Sequence, residues 1–185
     1  MKLVMVTGGL KTGKSTFLNY LRKFGYYTIS CDEIIKNILK LLRIDKKWII
    51  RHFFTNKIFR RVYLCVIIPI MFLIVVLKLF IALILGKSLI FIEMPLLYEY
   101  RLNCIFYNIV VWTTKEEQMK RIERSGVSKE FLKMQMPLEY KKQKADYLIV
   151  NNGDISDLKK KAMDLCDDCL NLYQIMIILF LIYLL

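Results

Sequence analysis

The chain has 185 residues, with 29 Lys and Arg against 16 Asp and Glu and a formal net charge of +13. That length holds one domain with a substantial core and excludes two ordinary ones. The charge points to an anionic partner, a nucleotide, nucleic acid or membrane surface, but the basic residues are spread along the chain rather than gathered in one arm, which argues against nucleic acid. The five Cys are an odd number and the apolar stretch Leu3–Val6 is too short for a secretory signal, so free thiols and a cytoplasmic, reducing setting are expected. Cys166 and Cys169 have CxxC spacing but no further metal ligands nearby, and read as two thiols on a helix. The single His, His52, leaves Ser-His-Asp chemistry without independent support.

In chain order, Lys2–Thr7 is a short apolar run ending in glycines, the pattern of a buried parallel strand. Lys14–Phe24 is predicted helical and is stopped by Gly25. Tyr27–Cys31 is a second strand, followed by a helix over Asp32–Leu42. Lys57–Leu85 is a long helical stretch, with Pro69 near a start or kink. Leu89–Glu93 and Phe106–Thr113 are the third and fourth strands, and Lys115–Arg124 is a charged helix. Tyr147–Asn151 is a fifth strand, closed by Asn152-Gly153, and Ile155–Leu172 is a last helix. Strands alternating with helices predict an α/β fold: a parallel sheet of about five strands covered on both faces, with ligands gathering at the carboxyl ends of the strands.

Gly8-Gly9-Leu10-Lys11-Thr12-Gly13-Lys14-Ser15 matches G-x-x-x-x-G-K-[ST], between a predicted strand and a predicted helix. In such a loop the glycines let backbone N–H groups turn inward onto a phosphate, and the following helix adds its positive end. Lys14 is then placed for the β- and γ-phosphates of ATP and the Ser15 hydroxyl for Mg²⁺, with Thr16 next in the binding stretch. A guanine-reading N-K-x-D is missing, since Asn56-Lys57 runs into Ile58-Phe59. Asp32 stands at the predicted end of the second strand. It is either the base for an acceptor hydroxyl or the N-cap of the next helix, and spacing alone does not separate the two.

The chain resembles the dephospho-coenzyme A kinase family over nearly its whole length. The stretches that carry the likeness are VTGGLKTGKST, CDEIIK, IEMPLLYE from Ile92, EQMKRIERSGVSKE from Glu117, and QMPLEYKKQKADYLIVNNG from Gln135. The resemblance implies a P-loop kinase with Asp32 as base and Lys36 as a basic acceptor contact. Pro95, Leu96, Leu97 and Lys141 are then expected beside the substrate, Arg121 and Arg124 on a catalytic lid, and Asn151 beside the nucleotide. Where the family has a His-Pro pair this chain is read as Ile68-Pro69, and Lys46 stands for an Arg. The implied organisation is a single kinase domain over 1–172, with an acceptor-binding helical region at about 33–86 and a lid at about 115–144. The implied reaction is ATP-dependent phosphorylation of the ribose 3′-hydroxyl of dephospho-coenzyme A. Two alternatives remain at this stage: a kinase for another small hydroxyl acceptor, and a membrane-attached nucleotide-binding protein without activity. The run Val62–Leu85 is expected to be a helix of the soluble domain. The apolar tail at 173–185 is expected to contact a membrane.

Overall fold

A computed structural model describes residues 1–127, 129–153 and 156–167. Five strands form one wholly parallel sheet: β1 (Lys2–Gly8), β2 (Tyr27–Ser30), β3 (Leu89–Glu93), β4 (Tyr107–Trp112) and β5 (Tyr147–Val150), in the order β2-β3-β1-β4-β5. The near-continuous burial of β1, β3 and β4 is what a sheet covered on both faces requires. Because β1 lies between β3 and β4, the connections leave it in opposite directions. A crevice opens there at the carboxyl ends, where Val6 pairs with Glu93 and Gly8 with Val111.

The helices are α1 (Lys14–Lys23), α2 (Cys31–Leu41), α3 (Lys46–Thr55), α4 (Lys57–Ile84), α5 (Lys115–Ser125), α6 (Leu138–Gln143) and α7 (156–167). One face of the sheet packs on α1 and α7 through Phe17, Leu18, Leu21, Leu158 and Leu165. The other packs on α2, α3 and α4 through Ile34, Ile38, Ile49, Ile67 and Val75. Each of these fully buried aliphatic or aromatic side chains contributes roughly 1.5–3 kcal/mol by leaving water. Local signals set the helix ends. Thr114 caps α5 by accepting from the Glu117 N–H (3.4 Å), and Gly126, in the left-handed region, ends it.

The predicted strands and long helices are present among the described residues, with shifts of a residue or so at their ends; of the last predicted helix, 155–172, only 156–167 lies within the described residues. Two differences matter. Cys31 opens α2 rather than closing β2, and Pro69 lies inside α4 rather than near its start. Asn56 caps α4 instead, accepting from the N–H groups of Ile58 and Phe59. Helices α3 and α6 carry no strong apolar period and were not predicted. Cys166 is buried on α7, whereas Cys169 and the tail 173–185 lie outside the described residues.

Candidate active site

The loop between β1 and α1 opens at Gly8 (φ 150°) and closes at Gly13 (φ 100°). A Cβ at Gly8 would run into the Val111 carbonyl oxygen, and one at Gly13 into the side-chain amide of Asn151, so both positions require glycine for conformation and for space. Helix α1 has no side-chain cap and no acidic residue in its first turn, which leaves its N–H groups and positive end for an anion.

The loop is braced from several elements. The Thr12 hydroxyl donates to the Gly9 carbonyl (3.1 Å), and the Asn151 side-chain amide donates to the Thr12 carbonyl (2.8 Å). From α5 the Gln118 amide donates to the Leu10 carbonyl (2.7 Å), while the Leu10 N–H donates to Gln135 Oε1 (3.0 Å). Asn151, expected at the nucleotide, is thus buried beneath the loop and holds its shape. Lys11 and Thr16 are exposed on it, Lys11 with φ 58°.

Lys14 curls back so that Nζ donates to the Gly9 carbonyl (2.6 Å). Burial lowers its pKa below the ordinary lysine value, and the negative charges of Asp32 and Glu93 oppose that shift. The Ser15 hydroxyl donates to Glu93 Oε1 (3.3 Å) and the Ser30 hydroxyl to Glu93 Oε2 (2.5 Å). Burial raises the Glu93 carboxyl above the usual carboxylate range, the Ser30 hydrogen bond pulls it back, and the Asp32 charge adds to the rise. Glu93 was not nominated from sequence. The available signal was a lone acid at the carboxyl end of a buried strand paired with the loop's own strand.

Asp32 is the second residue of α2 and is exposed at the crevice. Its field reaches Lys14, Glu93 and Cys31. The capping alternative is corrected: Ser30 is the cap, its hydroxyl accepting from the Glu33 N–H (3.2 Å). Cys31 beside it is buried, and burial pushes its thiol up to about 12, which leaves it inert as a nucleophile. Lys36, one turn beyond Asp32 on α2, is exposed.

On α5, Arg121 pairs with Glu117 (3.1 Å) and donates to the Asn151 carbonyl (3.1 Å), which ties α5 to the end of β5 beside the loop. Arg124 is exposed in the last turn. A cleft on the α5 side of the loop is lined by Gly9, Gln118, Gln135 and Leu138.

Two expected substrate contacts are buried in this structure. Leu97 lies completely buried in the core beside Tyr98. Lys141 also has no exposed side-chain surface. It pairs with Glu99 (2.9 Å) and donates to the Pro95 carbonyl (3.2 Å). Lys141 therefore fixes the Pro95–Glu99 turn, and the partly exposed Pro95 and Leu96 are what that turn presents.

A parallel sheet in this order, a phosphate loop closed by Lys14 and Ser15, a carboxylate behind the serine and an Arg-bearing helix α5 beside the loop define a P-loop kinase. Residues 43–157 match the dephospho-CoA kinase family. A dephospho-CoA kinase of Arabidopsis thaliana is 28% identical over 187 residues, covering 87% of this chain and 81% of that protein. Among solved structures, TT1252 from Thermus thermophilus superposes with a TM-score of 0.71 at 24% identity, over 90% of this chain and 97% of its own. Dephospho-CoA kinase from Campylobacter jejuni gives 0.66 at 26% identity, over 91% and 98%. The chain belongs to the dephospho-CoA kinase family. It is a phosphotransferase that uses ATP, of the kind that completes coenzyme A synthesis.

Proposed function

We propose that this site transfers the γ-phosphoryl group of ATP to the ribose 3′-hydroxyl of dephospho-CoA, with Asp32 as the base. The observation that carries the role of Asp32 is its position: exposed at the crevice, in electrostatic contact with Lys14 and Glu93, and relieved of capping by Ser30. Asp32 takes the hydroxyl proton as the new P–O bond forms. Lys14 exchanges its bond to the Gly9 carbonyl for the β- and γ-phosphate oxygens and follows the charge onto the departing ADP. Arg121, and Arg124 from the same helix face, neutralise the equatorial oxygens. Lys36, Pro95 and Leu96 line the acceptor side.

The donor set suits Mg²⁺. Ser15 and Glu93 offer oxygen only, and among the described residues no group of three or more His, Cys, Asp or Glu forms a protein-made metal cage. Magnesium is held this way, by one or two protein oxygens with phosphates and water completing its shell. Bound there, the ion would supply positive charge to the phosphates of ATP. Glu93 would orient the Ser15 hydroxyl to hold it. The acceptor is tested by turnover with dephospho-CoA beside adenosine and nucleoside monophosphates. The proposal expects ADP release with dephospho-CoA alone, and equal or faster release with another acceptor overturns it.

A further inference from the structure

Helix α4 is the one helix among the described residues long and apolar enough to cross a membrane. Its packing rules that orientation out. Ile67, Val75 and Ala82 are buried, and Met71, Ile74 and Leu79 pack beside them, in the same core cluster as α2 and the sheet. That inward stripe runs along most of the helix, and its C-terminal end leads directly into central strand β3. Crossing a bilayer would pull the stripe out of the core. The helix lies along the domain.

Its other side is unusual for a surface helix. Half of the exposed large hydrophobic side chains among the described residues belong to α4. Val62, Val66, Leu73, Val76, Phe80 and Leu83 share one outward arc of the 100°-per-residue helix, with Leu73 at 58% and Phe80 at 60% exposure. Soluble proteins seldom leave so large an apolar patch in water. The charge around it is one-sided. Residues 46–92 contain eight Lys and Arg and not one Asp or Glu. Lys57, Arg60 and Arg61 stand at the start of α4, and Lys87 follows its end.

We infer that the outer face of α4 is a docking surface for an anionic lipid bilayer, with the helix lying flat in the interface. An apolar arc about as long as the helix, bracketed by cations that reach up to lipid phosphates, is what such binding uses. The same charge disfavours a second copy, because pairing two α4 faces would bring two acid-free basic segments together.

The test is sedimentation of the full chain with vesicles of phosphatidylcholine alone and of phosphatidylcholine with 30% phosphatidylglycerol, roughly the anionic content at which basic interfacial helices respond. The expected result is binding to the anionic vesicles that weakens at least ~10-fold on neutral ones or in high salt. Leu73→Glu with Phe80→Glu, both on exposed positions of the outward arc, should lower vesicle binding at least ~10-fold while the melting temperature in vesicle-free buffer stays near that of wild type. Should those changes reduce folding, Phe80→Trp is the second readout, and its fluorescence should be quenched by brominated acyl chains. The inference is overturned by wild-type chain that ignores anionic vesicles, or by a Phe80→Trp protein that binds without quenching. Binding that the Glu pair leaves intact but Ile178→Lys with Leu181→Lys abolishes would assign it to the tail instead. A dimer dispersed by the Glu pair, without vesicle binding, would assign the face to a second copy.

Discussion

Replacing Asp32 by Asn separates catalysis from folding at this site. The substitution keeps the size and one oxygen of the side chain but removes its charge and its capacity to take a proton. On the stability side, Asp32 lies in the first turn of α2, where a negative charge contributes about 0.3–1 kcal/mol through the helix dipole. Its loss is partly offset because Asp32 also works against ionised Glu93. The net change is within about 1 kcal/mol, or at most about 4 °C in Tm for a domain of this size. On the catalytic side, a positioned base is worth about 10²–10⁴-fold, or about 3–5 kcal/mol of barrier. Ser30→Ala is the counterpart. It removes the cap, about 1 kcal/mol, and a hydrogen bond to a buried carboxylate, about 1.5–3 kcal/mol. Its Tm should fall by about 5–15 °C. The assay is steady-state ADP release with dephospho-CoA, together with a thermal melt, on both variants. A folded Asp32→Asn protein with kcat within about threefold of wild type refutes the base role, because the loss would be far below that expected for a base. An Asp32→Asn melt as low as that of Ser30→Ala would refute the assignment of the cap.

Glu93→Gln should lower Mg²⁺-dependent kcat by about 10–100-fold, as for other groups that orient a metal ligand. Folding raises the Glu93 pKa, so its stabilising contribution is complete below its unfolded value of about 4.3 and is lost as pH rises through the folded value. The Gln variant should therefore gain in Tm relative to wild type as pH is raised across that window, and a relative loss would contradict the buried-carboxylate assignment. Lys14→Ala should reduce kcat by at least about 10²–10³-fold. Its Tm should hold, since the substitution removes a charge that burial disfavours, and near-normal turnover would sink the phosphate-loop reading. Lys141→Met removes the cation beside Glu99 and leaves its carboxylate only the Met136 N–H on Oε1 (2.7 Å), with Oε2 unpartnered among the described residues, at a cost of about 3–5 kcal/mol. A large fall in Tm with unchanged KM for dephospho-CoA in the folded fraction is expected, and a raised KM without loss of Tm would restore Lys141 to the substrate. Arg121→Ala should lower kcat/KM for ATP by about 10-fold or more through both parameters, the loss of a charge-assisted contact. Unchanged parameters would make its ties to Glu117 and Asn151 purely structural.

The phosphate loop was legible in the sequence because its requirements are local. Gly8 and Gly13 serve positive φ and close approach, and the eight-residue spacing from Gly8 to Ser15 is a property of one turn between one strand and one helix. The five strands and the long helices were legible for the same reason: apolar runs and periods within a segment decide which backbone state buries them. Strand order, and the burial of particular side chains, depend on residues far apart in the chain. Glu93 became part of the site only when β3 paired beside β1, which brought its carboxylate to Ser15 and Ser30. Base and cap were both open for Asp32 until the backbone placed the helix start at Cys31 and the cap at Ser30, a one-residue shift that spacing does not resolve. Leu97 and Lys141 have the residue types of a substrate wall and a phosphate contact, yet tertiary packing put both inside, because the Pro95–Glu99 turn needed a core anchor and a counter-charge. The apolar composition of α4 was evident from its residues alone. Which third of its circumference meets the core, and which is left facing outward, was decided only by the sheet and α2 packing against it.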